Sequence, residues 1–136
     1  MIEPSNPKPR MTAPAATPAV RAAAEARGRA AEDRAAAALV ADGFVVLARR
    51  CRTPAGELDL VAARDGLLAF CEVKARKTLT EAAFSLAPRQ QARLLAAGEW
   101  WLGQNPGQGA AGVRFDVLLV DVAGRVRRVV DAFRLE

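Results

Sequence analysis

Two short runs, Gly56-Glu57-Leu58-Asp59-Leu60-Val61 and Phe70-Cys71-Glu72-Val73-Lys74, hold the residues best suited to chemistry. Each sets acids within apolar, strand-like sequence, and the tight-turn pair Asp65-Gly66 lies between them. With Asp65 and Gly66 as the central residues of a hairpin turn, pairing runs outward from Arg64 opposite Leu67. Counting back places Asp59 opposite Glu72 and Glu57 opposite Lys74. Directly opposed residues have Cβ atoms about 5 Å apart, and like charges there destabilise a sheet. Two facing carboxylates on a half-buried sheet make sense with a divalent cation between them.

The chemistry that such a pair serves is phosphodiester hydrolysis: two carboxylates hold a metal that polarises a phosphate and activates water. Side chains alternate along a strand, so Lys74 shares a face with Glu72 and can orient the water and offset developing negative charge. Glu-x-Lys alone is also a common solvated salt-bridge pattern; the facing Asp59 is what gives it weight. Glu32 is the third piece. It lies on the helical stripe of Ala36 and Leu39, where a carboxylate is costly unless it binds metal or pairs with an arginine.

Composition narrows the alternatives. The chain has 136 residues, enough for one domain with a core, and half of them are hydrophobic. A net charge of +5 favours a polyanionic partner or reflects solubility alone. Histidine and tyrosine are absent, which excludes serine–histidine and cysteine–histidine hydrolases, histidine-base nucleases, histidine-ligated zinc and tyrosine nucleophiles. Cys51 and Cys71 are too few for a four-thiolate zinc site, and they read as reduced, mostly buried thiols of a cytoplasmic protein. No apolar run approaches the ~20 residues that span a membrane. Oxygen donors suit Mg²⁺ or Mn²⁺; no zinc and no organic cofactor is expected.

The elements that must position these residues follow from periodicity and punctuation. Residues 1–21 form a Pro/Ala-rich leader, expected to be disordered, and residues 22–136 a single domain. Ala22 to Ala41 is an alanine-dense helix closed by Asp42-Gly43. Strands are expected at Phe44 to Cys51, Glu57 to Ala63 and Leu67 to Ala75. A second helix starts at Pro88 and ends near Leu102, with Gln91, Leu94, Leu95, Gly98 and Leu102 on its inner face. After a glycine-rich loop, strands at Val113 to Val122 and Val126 to Phe133 complete the order α-β-β-β-α-β-β, a mixed sheet with helices packed on it.

The pattern Gly28-x-x-x-Glu32, Gly56-Glu57-Leu58-Asp59-Leu60-Val61, Glu72-Val73-Lys74-x-Arg76 and Arg114-Phe115-Asp116-Val117 closely resembles the YraN family of small bacterial proteins. That family is similar to the PD-(D/E)xK nucleases, notably archaeal Holliday-junction resolvases. The resemblance covers about Arg27 to Phe133 and implies an α/β restriction-endonuclease-like core. It also implies that Asp59, Glu72 and Lys74 are the signature triad, with Glu32 completing the metal site. Glu57 is prominent in the motif without an evident role; pairing with Lys74 would explain it. Two positions depart from the pattern: Gln90-Gln91 where a basic residue is usual, and Cys71 where an apolar one is. Gln91 is an accessory candidate, with a capping or core hydrogen bond as the alternative. Asp116 reads as structural.

The expected activity is Mg²⁺- or Mn²⁺-dependent endonucleolytic cleavage of structured or branched DNA, Asp59, Glu72 and Glu32 binding the metal. Arg76, Lys77, Arg89 and Arg93 would line a phosphate track. A homodimer is expected, through an apolar edge near the fourth strand or the Trp100-Trp101 helix, because a resolvase cuts two strands symmetrically. The competing reading is a nucleic-acid-binding or assembly module that keeps the fold and uses its site little or not at all.

Overall fold

The computed structural model describes residues 17–79 and 86–133. The seven elements come in the expected order: α1 (Pro18–Ala41), β1 (Val45–Thr53), β2 (Gly56–Arg64), β3 (Leu67–Ala75), α2 (Pro88–Gln104), β4 (Gly112–Val120) and β5 (Val126–Val129). The first helix starts four residues earlier than the sequence suggests. Thr17 caps it, its hydroxyl accepting from the Val20 N–H at 3.2 Å, and Pro18 takes the first turn, where its missing N–H costs nothing. Residues 1–16 of the expected leader lie outside the described residues. At the other end Gly43, with φ +87°, lets Phe44 N–H reach back to the Leu39 carbonyl at 2.9 Å.

The five strands form one mixed sheet in the order β1-β2-β3-β4-β5. Pairing is antiparallel from β1 to β3, parallel from β3 to β4 across the α2 connection, and antiparallel again from β4 to β5. The hairpin turn is as expected: Asp65 and Gly66 both have positive φ, and Arg64 faces Leu67. β4 is paired on both sides from Val117 to Val120 and buried from Asp116 to Val120, so it is an inner strand; the edges of the sheet are β1 and β5. β5 ends at Val129, short of the expected Phe133. Asp131 turns the chain with φ +56°, and Phe133 returns to pack on Phe115 at 5.0 Å.

Each face of the sheet carries its own core. Alanines of α1 lie with Leu39, Phe44, Leu60, Ala62, Ala69, Cys71 and Leu118 on one face; Leu94, Ala97 and Trp101 of α2 lie with Leu58, Val61, Leu68 and Phe70 on the other. Gly98 lets α2 come close, since a Cβ there would stand 2.9 Å from Phe115. Trp101 meets Phe70 edge-on at 5.8 Å. Only the second half of α1, from Ala31 on, is buried; its first half projects past the sheet. Among the described residues no helix is long and apolar enough to cross a membrane.

Candidate active site

The β2–β3 ladder runs regularly from Arg64↔Leu67 to Leu60↔Cys71 and stops there. One residue further, Asp59 and Glu72 meet through their side chains. Asp59 Oδ2 accepts from the Val73 N–H at 2.8 Å, taking the place of a ladder bond, and a hydrogen bond joins its carboxylate to that of Glu72. The facing acids of the sequence are therefore brought together. Glu57 and Lys74 are not: the strands have parted, and Glu57 stands exposed, opposite Arg52 of β1.

The break has a cause in the packing. Leu58 belongs to the α2-side core and Leu60 to the α1-side core, although strict alternation would put them on one face. β1 switches in step. Arg49, opposite Leu60, reaches Asp33 of α1, whereas Cys51, opposite Leu58, packs on the α2 side. Between them Arg50 has φ +50°, a conformation that costs a non-glycine residue roughly 1–2 kcal/mol. Both strands thus change face at Arg50 and Asp59, and Asp59 sits between the two layers. This also puts Cys51 and Cys71 on opposite faces; both thiols are free.

On the α2 side, Glu72 accepts from Gln90 Nε2 at 3.1 Å and feels the positive charges of Lys74 and Arg93. Burial and the Asp59 charge nonetheless push the Glu72 carboxyl up to about 7, and Asp59 is raised too, chiefly by burial. The hydrogen bond couples the two carboxyls, so the pair favours keeping one proton between them. Gln91, on the stripe that the sequence favoured, turns away and donates its Nε2 to the Leu86 carbonyl at 2.8 Å. Gln90 reaches the site instead.

On the α1 side, Glu32 is 7% exposed. Its Oε2 accepts from Arg50 Nε at 2.6 Å and Nη2 at 2.5 Å, and its Oε1 is buried with no partner. The arginine salt bridge weighed from the sequence is what holds Glu32. An open cleft of about 370 Å³ joins Glu32, Arg50, Glu57 and Asp59. Glu32 and Glu72 therefore flank Asp59 from opposite faces, and among the described residues no three acidic, histidine or cysteine side chains stand in metal-ligand geometry.

The remaining basic candidates scatter. Arg93 packs over Gly56 near Glu72, while Lys77 and Arg89 are exposed. Arg76 donates to the Ala75 carbonyl at the end of β3. Asp116 is structural: fully buried, it accepts from Asp131 N–H at 2.9 Å and from Arg114 at 3.1 Å.

The Asp59–Glu72 pair itself offers carboxylate oxygens, which suit a hard divalent cation. A cation there would replace the shared proton and relieve the repulsion between the two carboxylates, so the pair fits such an ion.

Comparison with known proteins agrees on the family. The family described as "Uncharacterised protein family UPF0102" matches residues 31–120. A UPF0102 protein of Granulibacter bethesdensis is 59% identical over 109 residues, covering 80% of this chain and 69% of its own length. One from Azorhizobium caulinodans is 54% identical over 125 residues, 90% of this chain and 95% of its own. The matched stretch takes in Glu32, Asp59, Glu72 and Lys74, and the chain belongs to the UPF0102 (YraN) family.

Proposed function

We propose that this protein is a Mg²⁺- or Mn²⁺-dependent endonuclease acting on structured or branched DNA. The observation that carries the reading is the Asp59–Glu72 pair. Two half-buried carboxylates share a proton at the open end of a hairpin, a costly arrangement that a divalent cation would stabilise. The element order is also the one that the restriction-endonuclease-like resemblance implies.

Asp59 and Glu72 would hold the ion, which would supply Lewis-acid polarisation of a phosphate oxygen. The Val73 N–H fixes one Asp59 oxygen, and the Gln90 amide orients Glu72. Lys74, on the same face of β3 as Glu72, would position the attacking water and offset charge as the phosphorus–oxygen bond breaks. Glu32 would contribute by its unpartnered Oε1 and by holding Arg50 beside Asp59. The enzyme would work in the cytoplasm, where its thiols stay reduced, and as a homodimer when both strands must be cut.

The Glu32–Arg50 pair favours a second reading, since it fills one acid's need for a cation without metal. On that reading the fold binds nucleic acid or assembles with partners and turns over little or nothing.

Cleavage of labelled duplex, single-stranded, flap, fork and four-way-junction DNA separates the two. Under the nuclease reading, cutting requires Mg²⁺ or Mn²⁺, stops with EDTA and disappears in Lys74→Ala. Binding without cutting under every condition supports the assembly module.

A further inference from the structure

We propose that a cleft on the opposite flank of α1 binds backbone phosphate of a nucleic-acid strand through Arg27, Arg34 and Arg76. The inference rests on the reading that this protein engages nucleic acid, but not on cleavage.

Glu25, Gly28, Arg29 and Glu32 line the acidic cleft, whereas Arg27, Ala30, Ala31 and Arg34 line a second cleft of about 390 Å³. The two stripes are offset by two residues, or about 200° around the helix axis. One projecting helix thus carries the candidate active site on one flank and a basic cleft on the other. The far wall is the end of β3, with Arg76, and the turn from Asp121 to Gly124. Arg76 lies two residues beyond Lys74, about 7 Å along a strand.

The acids of α1 are each taken by an arginine of that helix or of β1. Glu25 meets Arg29 at 4.0 Å, Asp33 meets Arg49 at 2.6 Å, and Glu32 is held by Arg50. Among the described residues, Arg27 and Arg34 have no hydrogen bond or ion pair, and Arg76 donates only to the neighbouring Ala75 carbonyl. The acid in the cleft's lining, Asp121, is already spent. Its Oδ1 accepts from the N–H groups of Ala123 at 3.0 Å and Arg125 at 2.8 Å, and its Oδ2 from Arg125 Nε at 2.8 Å. Three guanidinium groups therefore share one cleft without a free carboxylate to neutralise them.

The cleft is also shaped for close approach. Its floor is alanine, and Arg34 lies across Gly124, where a Cβ would stand 3.1 Å from the guanidinium. A planar fork with unsatisfied donors is the group that matches phosphate oxygens. Free phosphate and backbone phosphate offer the same oxygens; the strand is favoured because Arg76, just past the end of β3, lies two residues from Lys74.

The test is fluorescence anisotropy of labelled single-stranded and four-way-junction DNA, in EDTA, across a salt series. The double variant Arg27→Ala/Arg34→Ala should flatten the plot of log affinity against log salt by roughly 1.4–1.8 units, since each lost phosphate contact removes about 0.7–0.9. Arg21→Ala, an exposed arginine of the same helix outside the cleft, should keep the wild-type slope. Equal melting temperatures would show that all variants are folded. In parallel, the Gly124 amide resonance should shift with DNA, and only weakly with inorganic phosphate. A wild-type slope in the double variant, or no DNA binding by the wild-type protein, overturns the proposal. Saturable shifts with inorganic phosphate but none with DNA would instead assign the cleft to a free anion and overturn the strand. Because EDTA is present, loss of cleavage activity leaves this test unchanged, so failure of the nuclease reading is seen separately.

Discussion

The two ends of the β2–β3 hairpin are built from the same strands and behave in opposite ways. At the turn end, Arg64↔Leu67 to Leu60↔Cys71 pair in register, and Leu68 and Ala69 are fully buried on either face. At the open end the ladder gives way after Leu60. A side chain takes over a backbone bond, two acids share a proton, and the facing arginine of β1 adopts a left-handed backbone. The regular end holds the fold together. The irregular end spends stability to aim Asp59 between two layers, which regular alternation cannot do.

If that division holds, substitutions at the two ends should separate stability from activity. Leu68→Ala at the regular end should cost about 2–5 kcal/mol in denaturant unfolding, with activity per folded molecule unchanged. Glu72→Ala at the irregular end should lower metal-dependent cleavage by about 100-fold or more while the protein melts no lower than wild type. A fall in melting temperature matching Leu68→Ala would make Glu72 a structural acid and erase the contrast.

Arg50→Ala should lower the melting temperature, because it strands the buried Glu32 carboxylate, and adding Glu32→Gln should restore part of the loss. An unchanged melting temperature in the single variant would mean that the ion pair does not hold the face switch.

The pH dependence of the metal-free protein sharpens the comparison further. A carboxyl raised in the folded state binds a proton that the unfolded chain has lost, so its contribution is full at low pH and fades as pH rises. With Glu72 pushed up to about 7, thermal stability should decline between about pH 5 and 8. In Glu72→Gln the decline should flatten; equal slopes would remove the shared proton from the account. Asp59→Asn, the smallest effect, should stabilise the metal-free protein at pH 8 by up to about 1 kcal/mol, because it removes the facing charge while keeping an acceptor for Val73.

Much of this was legible in the sequence because it depends on local chemistry. β3 has the expected bounds, Leu67–Ala75, and the Asp65-Gly66 turn sets the register that brings Asp59 to Glu72. The helix start was equally local, but Thr17-Pro18 was masked by the proline-rich run around it. What counting could not give is the face switch. Period-two reasoning assumes that both strands stay in phase, so it placed Glu57 opposite Lys74 and gave no role to Arg50. The same limit applies to α2, where the apolar stripe pointed to Gln91. Gln90, one position off the stripe, has the side chain that reaches past the helix to Glu72.

The metal site at Asp59 and Glu72 can be tested by calorimetric titration of the metal-free protein with Mn²⁺ at pH 6, in two buffers of different ionisation enthalpy, beside Glu72→Ala. The wild-type protein should bind the ion and release a proton as it does so, and the variant should bind far more weakly while remaining folded. Equal Mn²⁺ affinity in both proteins, or no binding by a folded wild-type chain at millimolar ion, would contradict the metal site at Asp59 and Glu72.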